Sequence, residues 1–491
     1  MKLETFNNMG EELNKKIVTA TKWSSVTEIA AKLVAPVTTM LLARILTPDA
    51  FGVLVTVMMV ISFAEIFTDA GFQKFLIQHE FESDEELYQS TNVAFWTNFV
   101  FSLLIWGLII IFSQPIANLV GSPNESTEIA VAGCCIPLAA FSSIQMALYK
   151  RGFDFKTLFY VRIVGVLIPL FVTVPLALYF RNCWALILGV IAQNFSNALL
   201  LTLKSPWKPN RFYSFAKLKE MFSFSMWLTV ELFSFWLISY LDFFFVGKLF
   251  SPYHLGLYRT SRTIVEQANS LVTSATTPVL YSSLSRLQNN IEDFKQLFFK
   301  FQKLVGLLII PTGTLLFLFK DFIISLLLGV QWMEAAYFFG LWAFFSALTI
   351  VFSQYCSFVY LSLGRPKLSI LVHIIHILFL LPSIYISAGY GFDFFCEVRA
   401  FMRLHLILVN LIVMYILIKI SFLQMLRNVF PAILGTIVFS LMIMFLPKAD
   451  SIIENILYII LAYIVYLTVV VGFKTERELL VNLVAKLMKP W

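Results

Sequence analysis

Three long stretches of this chain, residues 87–124, 335–364 and 428–447, contain no Asp, Glu, Lys or Arg. A helix crosses the hydrocarbon core of a bilayer with about 20 largely apolar residues, so uncharged runs of this length leave few soluble folds open. Hydrophobic residues make up 59% of the 491 and charged residues 13%, roughly half the charged share usual in soluble domains. Length by itself suggests about three soluble domains; the apolar runs replace them with one polytopic membrane protein. Lipid offers backbone polar groups no outside partner, so a spanning chain is helical or a closed barrel. The short alternating strands of a barrel are missing, and the fold class expected is all-α.

Fourteen candidate spans follow: 23–44, 52–70, 91–113, 128–148, 158–180, 183–203, 222–245, 257–283, 301–319, 335–362, 368–389, 395–419, 427–446 and 452–472. Basic residues set the orientation. With the N-terminus in the cytoplasm, the inner segments hold 25 Lys and Arg and the outer segments hold 5, namely Arg44, Arg181, Lys248, Lys320 and Lys448. Every loop alternates correctly, so both termini are expected inside. The first 22 residues are polar and mixed in charge, without the apolar core of a signal peptide. The net charge of +7 is distributed by topology and gives no sign of nucleic-acid binding. The five cysteines (Cys134, Cys135, Cys183, Cys356 and Cys396) are odd in number and lack metal-ligand spacing. They read as small buried residues, and no metal is expected.

One short pattern occurs twice, at residues 43–53 and 247–257. A basic residue, two apolar residues, a hydroxyl (Thr47, Ser251), a proline (Pro48, Pro252), two variable residues, an apolar residue, a glycine (Gly52, Gly256) and another apolar residue recur without a gap. Each copy joins one span to the next, where a Pro-to-Gly turn is expected. Six spans separate the copies, so both turns lie on the outer face, and the halves read as parallel repeats about an axis along the membrane normal. The expected domains are an N-terminal lobe over 1–203, a cytoplasmic linker over 204–221 and a C-terminal lobe over 222–419. Two further spans over 420–472 and a cytoplasmic amphipathic tail over 473–491 complete the chain. The tail is either an interfacial helix or an ordinary soluble one.

This pattern, with the Phe67-Thr68-Asp69-Ala70-Gly71-Phe72-Gln73-Lys74-Phe75-Leu76-Ile77-Gln78 stretch that follows its first copy, resembles the signature of bacterial polysaccharide transporters. These are the Wzx-type oligosaccharide flippases of the multidrug/oligosaccharidyl-lipid/polysaccharide exporter superfamily. The resemblance implies two six-helix lobes around a central cavity that works by alternating access, with two extra C-terminal helices. It also implies the bacterial inner membrane, no cofactor, and a substrate of undecaprenyl-pyrophosphate-linked oligosaccharide for O-antigen or another surface polysaccharide. Membrane lipids, a polysaccharide polymerase and a chain-length regulator are the further partners it implies.

Charged residues within spans are costly and face a partner or a wet cavity. Glu28 and Lys32 in span one share a helix face and read either as a closed ion pair or as a cavity cation with an exchangeable partner. Arg259, Arg262 and Glu266 form a stripe in span eight, and Arg399 and Arg403 lie one turn apart in span twelve. Snorkelling competes as an explanation for Arg259 and Arg399, and interface anchoring for Arg162 in span five. Arg262 and Arg403 lie deeper. As substrate-binding cavity cations, these six suit a pyrophosphate, because Arg grips phosphate oxygens bidentately and Lys acts as a point charge. Glu28, Glu65, Asp69, Glu231, Asp242 and Glu266 are the counter-ions, or a proton or sodium coupling site. His373 and His376, three apart in span eleven, are a candidate proton relay or packing residues.

Four function classes compete. An energy-coupled secondary transporter that flips lipid-linked oligosaccharide needs no catalytic residue, and no nucleotide-binding loop is present for direct ATP drive. A multidrug or cation exporter favours an acidic, aromatic pocket over deep cations. A lipid II flippase shares the anionic headgroup. A membrane glycosyltransferase or polymerase needs a large extramembrane loop, and the longest loops here are too short to hold a catalytic domain.

Overall fold

The computed structural model describes residues 23, 31–32, 34–69, 71–205, 207–449 and 451–487. The described residues form helices joined by short turns, with no strand among them. Two compact units divide the chain, residues 1–259 and 260–491. The lobes expected from sequence divide at 204–221; the compact units divide between Arg259 and Thr260.

The first unit begins with α1 (Val34–Ile45), α2 (Pro48–Asp69), the short α3 (Phe72–Gln78), α4 (Asp84–Ile111) and α5 (Ser113–Leu119). It continues with α6 (Ser126–Ala132), α7 (Cys135–Arg151), α8 (Phe155–Ile168), α9 (Val174–Phe180), α10 (Cys183–Lys204) and α11 (Phe215–Leu249). Helix α7 packs against α3, α4 and α10, and α11 packs along α2. Gly71 caps the start of α3 with a φ of 77°, which favours a residue without a Cβ. Phe72, Phe75 and Leu76 of α3 are then buried. Arg151 closes that helix by donating from Nη1 to the carbonyl oxygens of Leu76 (2.9 Å) and His79 (2.7 Å), groups a helix end leaves unsatisfied.

The repeated pattern is a helix start rather than a turn. Pro48 and Pro252 are the first residues of α2 and of α12 (Pro252–Arg286), where the missing N–H and fixed φ of proline suit a helix. Gly52 and Gly256 lie one turn further, inside those helices. A Cβ on Gly52 would collide with the Pro252 carbonyl, and one on Gly256 with the Pro48 carbonyl. The glycines are therefore close-approach residues for two helix N-termini.

The linker over 204–221 is strapped down. Trp207 is buried among Phe72, Phe75 and Phe95. The Asn210 N–H donates to Asn92 Oδ1 at 2.8 Å, and Trp96 Nε1 donates to the Asn210 carbonyl at 2.6 Å. Trp96, an aromatic of the kind a sugar stacks on, thus has a structural task.

The second unit holds most of α12, followed by α13 (Ile291–Leu318), α14 (Lys320–Leu327), α15 (Ala335–Thr349), α16 (Tyr355–Ser362) and α17 (Pro366–Ala388). It ends with α18 (Phe392–Ile418), α19 (Phe422–Phe445), α20 (Ile452–Val471) and α21 (Lys474–Leu487). A π-helical turn, Ile350–Gln354, joins α15 to α16. Asn410 Nδ2 donates to Ser353 Oγ at 2.8 Å, Asn428 Nδ2 to Gln302 Oε1 at 3.0 Å, and the Tyr466 hydroxyl to the Leu307 carbonyl at 2.7 Å. Such bonds tie helices together where lipid supplies no hydrophobic drive. The two C-terminal spans are integral to this unit, since Met425, Val429, Phe439 and Tyr466 lie in its core. The tail helix α21 docks through Glu476, which is 1% exposed and accepts from Lys303 Nζ at 2.7 Å.

Among the described residues, eleven helical runs are long and apolar enough to cross a membrane. Helices α11 and α12 reach 35 residues each, about 52 Å at 1.5 Å per residue. Both are long enough to cross a bilayer, and Arg259, Arg262 and Glu266 lower the hydropathy of α12.

Candidate functional site

Within the second unit, three of the expected cations converge on one indole. Trp342 of α15 is fully buried. The guanidinium carbons of Arg403, Arg262 and Arg399 lie 3.7, 4.8 and 5.1 Å from its ring centroid. Arg399 and Arg403 stand one turn apart on α18, while Phe401, Leu404 and Leu408 of the same helix are exposed apolar residues on another face. The amphipathic pattern of α18 therefore turns its two cations away from the greasy side. Arg262 comes from α12, and its Nη2 lies 3.3 Å from Glu266 Oε1, one turn along the helix. The Arg262 side chain is 13% exposed and that of Glu266 50%.

Each guanidinium lies within 5.1 Å of one point, so any two are at most about 10 Å apart. Like charges at that separation repel by roughly 2 kcal/mol per pair at an effective dielectric near 20. The π face of the indole offsets part of this, as does Glu266. A multiply charged anion placed among the three would reverse the sign of the balance, with each fork offering paired N–H donors to phosphate oxygens.

The other expected residues fall elsewhere. Lys32, Arg162 and Arg259 belong to the first unit, where Lys32 is half-buried and Arg162 exposed. Arg259 lies 5.0 Å from the Phe243 ring centroid. Asp242, 3% exposed, accepts a 3.0 Å hydrogen bond from the buried Tyr258 hydroxyl. Glu65 is half-buried. Glu28 lies outside the described residues, and Asp69 and Glu231 are described only as backbone positions of α2 and α11. His376 does not meet His373, whose Nδ1 lies 2.7 Å from the Ser369 carbonyl on its own helix. Instead His376 Nδ1 faces His405 Nδ1 at 3.3 Å, with the rings stacked 5.5 Å apart. His405 lies two residues beyond Arg403 on α18.

Sequence reading missed Trp342, His405 and Glu397, whose Oε1 accepts from the Tyr337 hydroxyl at 2.7 Å. The available signal was Arg399 and Arg403 one turn apart on one helix; His405, two residues on, and Trp342, one of ten tryptophans, had none. Among the described residues, Glu125, Glu128 and Cys183 bring ligand atoms within 4.8 Å of one another. Burial, then Glu128 and Asp49, push the Glu125 carboxyl above its ordinary value, which favours a proton there over a cation.

The chain is similar to several known proteins. A family described as "Polysaccharide biosynthesis protein" matches residues 41–337. A membrane protein of a cps region in Klebsiella pneumoniae is 22% identical over 76% of this chain and 77% of its own length. The lipopolysaccharide biosynthesis protein WzxC of Escherichia coli (strain K12) is 20% identical over 65% of each chain. Among solved structures, the lipid II flippase MurJ in an inward closed conformation aligns with a TM-score of 0.73. It is 15% identical, and the alignment covers 93% of this chain and 99% of MurJ. An inward-facing multidrug resistance MATE family transporter of the MOP superfamily aligns at 0.62, with 11% identity over 79% of this chain and 94% of its own. At such identities the structural likeness shows the fold. The family match spans more than half of the sequence, and the chain belongs to the polysaccharide biosynthesis protein family of multi-pass, all-helical membrane proteins.

Proposed function

We propose that this protein flips an undecaprenyl-pyrophosphate-linked oligosaccharide repeat unit from the cytoplasmic to the periplasmic leaflet of the bacterial inner membrane. It does so by alternating access, coupled to an ion or to the membrane potential, with both termini in the cytoplasm. The single observation that carries this reading is the cluster of Arg262, Arg399 and Arg403 on the buried Trp342. A pyrophosphate must leave water to cross, and a charge near the bilayer centre costs a few kcal/mol or more. Guanidinium forks replace the lost hydration, while the polyprenyl tail stays in lipid. Family membership and the names of WzxC and MurJ support the substrate class. The exported unit then feeds a polymerase and a chain-length regulator.

Deletion of the gene is expected to strand lipid-linked oligosaccharide on the cytoplasmic side, and the wild-type chain is expected to clear it. Arg262→Ala is expected to restore surface polysaccharide poorly at normal protein levels. Full restoration by Arg262→Ala, Arg399→Ala and Arg403→Ala alike would remove the cluster from the transport path. Stranding of lipid II instead would assign the chain to peptidoglycan precursor export.

A further inference from the structure

We propose that the linker stretch 208–213 lines a water-filled recess on the cytoplasmic side of the first unit, and that this recess receives the carbohydrate of the lipid-linked substrate on Asn210, Arg211 and Tyr213. The proposal rests on the flippase reading and adds to it a site for the sugar.

The linker runs along one face of α4. The Tyr88 hydroxyl donates to the Lys208 carbonyl at 3.1 Å, Asn92 and Trp96 hold the N–H and the carbonyl of Asn210, and the Tyr213 hydroxyl lies 2.9 Å from Thr97 Oγ1. Positions 88, 92 and 96 are one turn apart, so the contact advances with α4 into the membrane. About 20 residues counted back from Ile111, the last of α4, reach Asn92. Trp96 and Thr97 then lie roughly 6 to 8 Å inside the hydrocarbon, with the linker beside them. Irregular backbone at that depth is either buried in protein or wet. Residues 207–213 make no backbone–backbone hydrogen bond among the described residues, and Lys208, Asn210 and Arg211 are exposed. A guanidinium facing acyl chains is costly. Water therefore reaches this stretch.

The groups it presents suit a sugar. Asn210 Oδ1 accepts from the Phe212 N–H at 2.9 Å, which fixes the amide and leaves its two Nδ2 donors for a ligand. Arg211, next in the chain and exposed, brings five more donors. Tyr213 is 40% exposed with its hydroxyl already engaged by Thr97, so it offers a ring rather than a phenol. Phe215 meets that ring edge to face at 5.3 Å and is itself exposed. A pyranose has an apolar C–H face and a rim of hydroxyls, and an aromatic flanked by amide and guanidinium donors complements both. A phospholipid phosphate would use the arginine and leave the amide idle.

The test uses the full chain in lipid nanodiscs and three probes: lipid-linked oligosaccharide extracted from a strain deleted for this gene, the glycan released from it by mild acid, and undecaprenyl pyrophosphate. Wild type is expected to bind the oligosaccharide-bearing lipid at least ten-fold more tightly than undecaprenyl pyrophosphate. Arg211→Gln and Tyr213→Leu are each expected to remove most of that ratio, and Tyr213→Phe, which keeps the ring, to stay within about three-fold. If Tyr213→Leu does not fold, Arg211→Gln, at an exposed position, keeps the comparison. Released glycan that binds with the same dependence supports the site and marks the sugar alone as sufficient. Arg211→Cys is expected to react with a water-soluble maleimide in inside-out vesicles, above the background of the native cysteines, whereas Val100→Cys on the exposed apolar face of α4 is expected to stay at that background. No labelling at 211 overturns the wet recess. An equal loss by Arg211→Gln on both lipids overturns the sugar site and assigns that arginine to the phosphates. Absence of stranded lipid-linked oligosaccharide in the deletion strain overturns the flippase reading itself. Stranded material that wild type and all three variants bind alike overturns only the sugar site.

Discussion

The carbonyl of Pro252 occupies the space that a Cβ on Gly52 would need, and the Pro48 carbonyl does the same for Gly256. The two copies of the repeated pattern therefore meet each other, proline of one against glycine of the other. Backbone atoms cannot swing aside as a side-chain tip can, and inserting a methyl into such a contact costs about 1–3 kcal/mol or more. Gly52→Ala and Gly256→Ala are each expected to lower the thermal stability of the purified protein, whereas Gly107→Ala, at a site open on all sides, is expected to be silent. Equal melting temperatures for all three would refute the close-approach role.

Arg403 is the cation nearest the Trp342 centroid, at 3.7 Å. A lysine there keeps the charge but loses the planar fork and the stacking. Arg403→Lys is expected to complement a deletion strain about ten-fold less well than wild type, as losing one charge-assisted hydrogen bond of about 1.5 kcal/mol implies. Wild-type complementation would show that charge alone suffices. Lys32→Ala, in the first unit, is likewise expected to reduce surface polysaccharide at normal expression.

His376 and His405 meet Nδ1 to Nδ1 at 3.3 Å, between the two helices of which one carries Arg399 and Arg403. The stacked rings pack α17 against α18. A His376→Ala, His405→Ala double variant is expected to lower the melting temperature of the purified protein by removing that contact, and an unchanged melting temperature would refute the packing role.

Lys303 and Glu476 form the anchor of the tail helix. Burial pushes the Glu476 carboxyl up, but hydrogen bonds from Lys303 and Thr475 and the charge of Lys303 outweigh it, and the net displacement is downward. A carboxylate held below its ordinary value stabilises the fold above that value and loses its contribution as pH falls through the lowered one. Tail protection in hydrogen exchange is thus expected to persist at neutral pH and to fail in acid. Lys303→Ala strands a buried carboxylate and is expected to cost about 3 kcal/mol. Unchanged protection of 474–487 in that variant would rule out the anchor.

Glu125 behaves in the opposite sense. Burial, with Glu128 and Asp49, raises its carboxyl, so the folded state holds that proton more tightly than the unfolded chain. The stabilisation is complete below the ordinary carboxylate value and fades as pH rises through the raised one. Glu125→Gln mimics the protonated form and is expected to melt higher than wild type at pH near 8, with the gain vanishing toward pH near 4. A gain that persists in acid would contradict this origin.

The all-helical, multi-pass fold was legible in the sequence because hydropathy is a local sum. Residues 87–124 or 335–364 announce a span whatever their neighbours are. The twice-repeated proline and glycine were equally visible, but only the structure shows that Pro48 and Pro252 open helices and that each glycine makes room for the other copy. Spacing along α18 showed that Arg399 and Arg403 share a face; it did not show what they face. That Trp342 gathers them with Arg262, and that His376 meets His405 rather than His373, depends on the rotation and depth of α12, α15, α17 and α18 against one another. Periodicity fixes which residues of one helix lie together, whereas the pairing of faces between helices is set by packing across the whole bundle, and so it was decided by the tertiary structure alone.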